Sequence, residues 1–460
     1  MKLEEIKESN YNFKTKSTPL VELKGLTKKN IESISRIKKE PGWMRELRLK
    51  AFEVFKSKSM PDWGIADLSD LNFDKFNYYL KPEDQPSVKW NDVPKEIKKT
   101  FEKLGIPQAE RSVLGGVISQ YESESIYNNL RKELLKKGVI FTDMDTALKE
   151  YPEIIKSHFM KCVPINDSKF SALHASVWSG GAFVYIPENV TVELPLQSYF
   201  RMNTEREGQF EHTIIIADKG SKVHYLEGCS APKYTLASLH SAVVEIYVKE
   251  NASVRYTTVQ NWSKNVYNLN TKRAIVEKNG FVEWVGGSIG SKVSMLYPSS
   301  VLVGENAKAS HLAITLASKN TLKEGGAKVI HNAKNTSSKI VSKSISIGGE
   351  AAYRGLVRIN KGAKNSFSSV KCDGLVIGKN SKADTFPHIE VFEKDSSISH
   401  EAKIGRISDE ELFYLQTRGL SVKEATSLAV LGFMDEVMKE IPLEYALELN
   451  KLVELEVQGL

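Results

Sequence analysis

Cysteine is what this chain has least of: three in 460 residues, at positions 162, 229 and 372. An odd number of widely separated thiols argues against a disulfide framework and for a reducing compartment, the cytoplasm. The opening MKLEEIKESNY has no apolar leader core, and no run approaches the roughly 18 apolar residues of a membrane span. Neither sign of charge dominates, since 64 basic and 57 acidic residues leave only +7. No basic block is interleaved with aromatics, so neither a nucleic acid nor a membrane is expected as a partner. The phosphate loop ending in Gly-Lys-Ser/Thr and the H-E-x-x-H pair are both missing. Their absence removes an ATPase and a zinc protease from the activities this chain could carry by itself.

What remains, 41% hydrophobic and 26% charged, is the composition of a folded globular chain long enough for two or three domains. Residues 1–158 are rich in Lys and Glu, with helical periodicity in WMRELRLKAFEVF (43–55) and NNLRKELLKKGV (128–139), the latter stopping at Gly138. Thr142 or Asp143 offers an N-cap for another helix, and the stretch from Ser59 to Ser87 reads as irregular connection. From about 159 to 406, starting with SALHASVWSGGAFVYI, the texture becomes short β-branched runs broken by Gly, Asn, Asp and Ser. A turn unit recurs at 219, 250, 305, 326, 361 and 379, at irregular intervals. Stacked small residues and Asn-rich turns favour a parallel β-helix over a sandwich. Residues 407–460 return to helix. Ser408 with Glu411 and Ser421 with Glu424 form S-x-x-E starts, and Leu443, Ala446, Leu447 and Leu449 form an apolar stripe.

The segment from Lys371 to Glu401 holds Cys372, His388 and His400 between short Val/Ile strands. Thiolate, imidazole and the Glu401 carboxylate are ligand types for iron, zinc or an iron–sulfur unit, although no close Cys or His pair occurs. If successive coils stack, Cys372 and His400, 28 positions apart, could lie on neighbouring strands and point the same way. Cys229, after Gly228 and before Ser230-Ala231-Pro232, reads as an accessible loop thiol, with a buried strand-end cysteine as the alternative. Cys162 reads as a small core residue, and His311 and His388 as structural histidines.

TTVQNW (257–262), NLNTKRA (268–274), YRGLVRI (353–359), KCDGLVIG (371–378), ADTFPHIEV (383–391) and SHEAKIGRISDEELFYLQTRGL (399–420) resemble the SufB/SufD family of the SUF iron–sulfur cluster assembly machinery, and within it the SufB scaffolds. The resemblance implies a mostly β fold, a right-handed parallel β-helix between N-terminal and C-terminal helical regions. It implies a scaffold rather than an enzyme, which accepts persulfide sulfur at Cys229 and builds a transient cluster, of 4Fe–4S type, on Cys372, His400 and Glu401. Reduced flavin is a further cofactor it suggests. The implied partners are a SufC-type ABC ATPase docked on residues 407–460, a SufD-like subunit or a second copy of this chain, a sulfur donor relay, and apo iron–sulfur proteins. Two departures stand out: Ser399 occupies a position that is Glu in many members, and no cysteine precedes Cys162. The alternative expectation is a SufD-like structural subunit without its own sulfur relay.

Overall fold

The computed structural model describes residues 19–81, 114–233, 235–378 and 380–441, and beyond them 446, 450, 453, 454, 456 and 457. The chain winds into a β-solenoid of about eight turns. One wall is a ten-stranded sheet running from Glu124–Leu130 at one end to Ser396–Arg406 at the other, and the facing wall has thirteen strands. Position Lys222 lies beside Ser253, then Phe281, Lys308, Ser337, Phe367 and Ser397 on successive parallel strands. Each coil therefore takes 27 to 31 residues.

Asparagine sets one corner of five successive coils. Asn251, Asn279, Asn306, Asn335 and Asn365 all have φ between 55° and 61°, the left-handed region that Asn enters more readily than other side chains with a Cβ. Their amides join coil to coil: Asn279 donates to Asn251 at 2.9 Å, Asn306 to Asn279 at 2.9 Å, and Asn365 to Asn335 at 3.2 Å. The turn units at 219, 250 and 305 belong to this corner. Those at 326 and 379 precede Lys328–His331 and Lys382–Val391 of the other sheet. Two interleaved series explain the irregular intervals in the sequence.

Alternation along each strand sends every second side chain inward. Tyr225, Tyr256, Trp284 and His311 stack through the interior with ring centroids 5.6, 5.1 and 6.2 Å apart. The same register column continues through Ile340 and Val370 to His400.

Several local expectations change. Residues 128–130 do not begin a helix but complete the strand Glu124–Leu130. Ile126 and Tyr127 bury against Val117, Tyr121 and Leu226, and this packing outweighs the helical pattern. Only Lys132–Lys136 is helical, followed by Gly138 at φ 79°. SALHASV is not strand either: Lys169–Val177 is a helix opened by a capping box between Ser168 and Ser171, with everything from Phe170 on buried. Within the stretch expected to be irregular, Asn77–Lys81 pairs antiparallel with Val21–Lys24. The helix Gly42–Ser57 spans the periodicity at 43–55, and Asp143 caps Met144–Glu150 by accepting from Thr146 N at 2.9 Å.

At the far end, Asp409–Thr417 and Val422–Met438 start at Ser408 and Ser421, and the reciprocal capping bond forms at Ser421 with Glu424. Val430, Met434 and Val437 pack on Ile314, Leu316 and Ile345, the outer face of the ten-stranded sheet. Ala446 is helical and buried in the same cluster, while Leu443, Leu447 and Leu449 lie outside the described residues. No helix among the described residues is long and apolar enough to cross a membrane.

Candidate functional site: two interior thiols and the column between them

Cys229 is not in a loop. It is the penultimate residue of Lys222–Ser230, which pairs on both sides, and it sits in register with Phe200 and Gln260. Only 2% of it is exposed. Its Sγ lies 3.9 Å from Glu227 Oε1, which also receives Lys272 Nζ at 2.9 Å, and Lys272 donates to the Tyr256 hydroxyl at 2.7 Å. Burial is the largest influence on the Glu227 carboxyl and raises it, but the Lys272 ammonium, the hydrogen bonds from Tyr256 and Lys272 and the nearby His240 together hold the group below its ordinary value. Burial pushes the Cys229 thiol well up, and the negative charges of Glu227 and Glu211 push it further. Its nucleophilic form therefore needs a cation or a base beside it.

Two such neighbours escaped the sequence reading. The ligand atoms of Glu211, Cys229 and His240 all lie within 4.8 Å of one another. No short-range motif marks Glu211 or His240. They are 29 positions apart, one coil, so only the coil period could have paired them.

Cys372 lies in Ser366–Ile377, with Val370 and Cys372 buried and Lys371 exposed between them. On the next strand Ala402 is opposite Cys372 and His400 is opposite Val370. Cys372 and His400 therefore share the inward face of adjacent strands as diagonal neighbours, roughly 7–8 Å apart, within side-chain reach. Glu401 is opposite Lys371, so alternation gives it the other face, the face of Ser399 opposite Ser369. His400 and Glu401 are both exposed, because Ser396–Arg406 is the last strand of its sheet. Burial raises the Cys372 thiol to about 12, an effect that the hydroxyls of Tyr353 and Thr385 facing it offset only in part.

One register column joins the two thiol sites. Glu227, beside Cys229, is followed on successive strands by Thr258, Gly286, Ala313, Ser342 and then Cys372. Every residue between the ends is small, next to a column of stacked aromatic rings. The space left over is an interior cavity of about 70 Å³, lined by those four residues together with Gln260, Lys272 and Tyr353. Five strand spacings of about 4.8 Å put the ends roughly 24 Å apart.

The other residues singled out in the sequence have different surroundings. Cys162 is 3% exposed and its thiol donates to the Arg273 carbonyl at 3.3 Å. Its backbone N–H helps hold the buried Glu245, which also accepts from Val163 N and Met160 N. Buried His311 bonds Ser300 Oγ at 2.9 Å, and exposed His388 bonds Glu390 at 3.0 Å.

These features define a class of protein, a β-solenoid with two free thiols buried inside the coil. Residues 23–198 match the SufBD protein N-terminal region, and residues 200–433 match the SufBD core domain of SUF system FeS cluster assembly. An iron–sulfur cluster assembly SufBD family protein of Staphylococcus aureus (strain MRSA252) is 53% identical over 437 residues, covering 95% of this chain and 94% of its own length. One from Staphylococcus haemolyticus is 53% identical over the same span and coverage. The chain belongs to the SufBD family of iron–sulfur cluster assembly proteins.

Proposed function

We propose that this chain is a SufB-type scaffold, which takes sulfur in at Cys229 and assembles a cluster at Cys372. The observation that carries this reading is the register column of small residues from Glu227, beside Cys229, to Cys372, with an interior cavity along its middle at Thr258, Gly286, Ala313 and Ser342. In the first step the Cys229 thiolate attacks the outer sulfur of a donor persulfide. The sulfur–sulfur bond of the donor breaks, the donor leaves as a thiol, and Cys229 keeps the sulfur as its own persulfide. Release of that sulfur as sulfide takes two electrons from an external reductant, for which reduced flavin is the suggested class. Iron and sulfide then meet at Cys372 and His400 on the interior face, with Glu401 reaching round the open edge of the last strand.

One thiolate, one imidazole and one carboxylate are too few for a 4Fe–4S cluster, so the site calls for a second subunit. The last coil supports this: Ile389, Val391 and Ile404 are exposed there on strands that pair on one side only among the described residues, and Phe392 is exposed just past the end of one of them. The partner expected at this edge is a SufD-like subunit or a second copy of the chain. Exposed Phe413, Tyr414, Val422 and Leu428 on the C-terminal helices suit the SufC-type ATPase. Three free thiols agree with a cytoplasmic setting.

Anaerobic reconstitution with ferrous iron and sulfide tests the assignment. Wild type acquires an iron–sulfur chromophore, Cys372→Ala does not, and His400→Ala forms a weaker one. Equal iron and sulfide on wild type and Cys372→Ala would overturn it. Ser399 favours the second reading, a SufD-like subunit without a sulfur relay, and that reading predicts no persulfide on Cys229.

A further inference from the structure

We infer that Glu211, Cys229 and His240 form a binding site for a single divalent transition-metal ion, separate from the cluster site at Cys372. The three come from different segments on both walls of the solenoid and converge inside it. Glu211 and His240 are completely buried and Cys229 nearly so. Thiolate, imidazole and carboxylate together are the ligand set of zinc or ferrous ions, and the thiolate disfavours magnesium and calcium.

The hydrogen bonding around the cluster leaves it short of one positive centre. Asn268 Nδ2 donates to Gln260 Oε1 at 2.6 Å, so Asn268 turns its Oδ1 toward His240 and accepts from Nδ1–H at 2.8 Å. That fixes the tautomer and leaves the Nε2 lone pair facing Glu211 Oε1. Two acceptors in contact need a proton or a cation between them. The other Glu211 oxygen, Oε2, is buried without a hydrogen-bond partner among the described residues, a costly state that a metal–oxygen bond would relieve. The nearby Lys272 ammonium is already committed to Glu227 and Tyr256. A dication balances one thiolate and one carboxylate, and on binding it displaces the thiol proton and the proton held between His240 and Glu211 to solvent. Asn268 and Gln260 behind His240 form the outer support that metal-bound imidazoles usually have. Gln260, opposite Cys229 in the register, also lines the interior cavity.

The site rests on this geometry alone and does not require Cys229 to accept sulfur. A metal on Cys229 occupies the thiolate that a persulfide donor would need, so the two uses compete.

The test uses the full-length chain carrying Cys372→Ser, which keeps the cluster site out of the readout. Cobalt(II), zinc and, anaerobically, ferrous ions are titrated in, with magnesium as a control, and metal content is measured after desalting. The expected result is about one ion retained per chain, a thiolate-to-cobalt charge-transfer band, no retained magnesium, and Cys229 protected from alkylation in peptide mapping. Glu211→Gln and Cys229→Ser lower affinity at least tenfold, and Asn268→Ala lowers it by about 10–100-fold through lost support of His240. Where Glu211→Gln does not fold, Asn268→Ala supplies the same comparison. No retained ion, or equal retention and an unchanged band in the Cys229→Ser and Asn268→Ala proteins, overturns the site.

Discussion

Lys272→Met keeps the length of a buried side chain and removes its charge, leaving Glu227 inside the solenoid without its ion pair. Both groups are nearly inaccessible, Lys272 at 6% and Glu227 at 1%; the ammonium lies on Glu227 Oε1, and Oε2 accepts no hydrogen bond among the described residues. Breaking such a pair from one side costs about 3–5 kcal/mol. A cooperative unfolding entropy near 1 kcal/mol/K for 460 residues turns that into a fall in Tm of about 3–5 °C. The pH dependence gives a sharper signature. In wild type the Glu227 carboxyl is held below its ordinary value, so its contribution to stability is present above pH 4.5 and is lost as pH falls through the folded value. Without Lys272, burial raises the carboxyl above 4.5. The unfolded chain then releases a proton that the folded chain keeps, and stability declines as pH rises from about 4.5 through the new folded value. Urea unfolding of both proteins between pH 4 and 8 measures the change of slope. Adding Glu227→Gln to Lys272→Met should recover most of the loss at pH 7. A single variant within 0.5 kcal/mol of wild type, on the order of an ordinary surface change, with an unaltered pH slope would refute the reasoning.

Three further outcomes follow from other parts of the molecule. Arg48, fully buried, grips Glu40 and donates to the Trp178 carbonyl at 2.9 Å, so Arg48→Met should cost about 3–5 kcal/mol. Limited proteolysis should then cut first in the helices at 28–57. At the open edge, Ile389→Lys with Phe392→Glu should leave Tm within about 1 °C of wild type, because both residues are exposed, while light scattering reports loss of the self- or SufD-like assembly. Alkylation of Cys372 should speed up about tenfold per pH unit between 7 and 9, as its thiol titrates near 12, and Tyr353→Phe should slow it by removing a hydroxyl that favours the thiolate.

The solenoid was legible in its turns, since the Asn-rich units mark corners where the backbone needs positive φ. The interleaving of two corners hid the coil length. Helical periodicity succeeded where one face is buried, as in Gly42–Ser57. It failed at 128–130, where pairing with the strand Gly116–Tyr121 decides the conformation. SALHASV misled because Ser and Ala suit a buried helix as well as a strand, and the Ser168 cap lies just before it. For the site, the spacing of Cys372 and His400 carried real information, because it is the local coil of 30 residues less two, and alternation over two positions keeps them on one face. Glu401 follows the same rule onto the opposite face. Glu211 and His240 could not be seen, because buried polar residues from different coils leave no pattern within any short window. The column of Thr258, Gly286, Ala313 and Ser342 was equally hidden, since small residues at those positions mean nothing until the register aligns them.

The central claim, that sulfur enters at Cys229 and passes along this column to Cys372, is tested most directly by following isotopically labelled persulfide sulfur with peptide mapping over time. Gly286→Val narrows the column with little strain, since a Cβ there meets only Thr258 Cγ2 at 3.6 Å. With reductant and ferrous iron supplied, the account predicts label first as persulfide on Cys229 and later as acid-labile sulfide bound with iron at Cys372 in wild type, neither in Cys229→Ser, and the Cys229 persulfide alone in Gly286→Val. Label reaching Cys372 at the wild-type rate in both variants would contradict it.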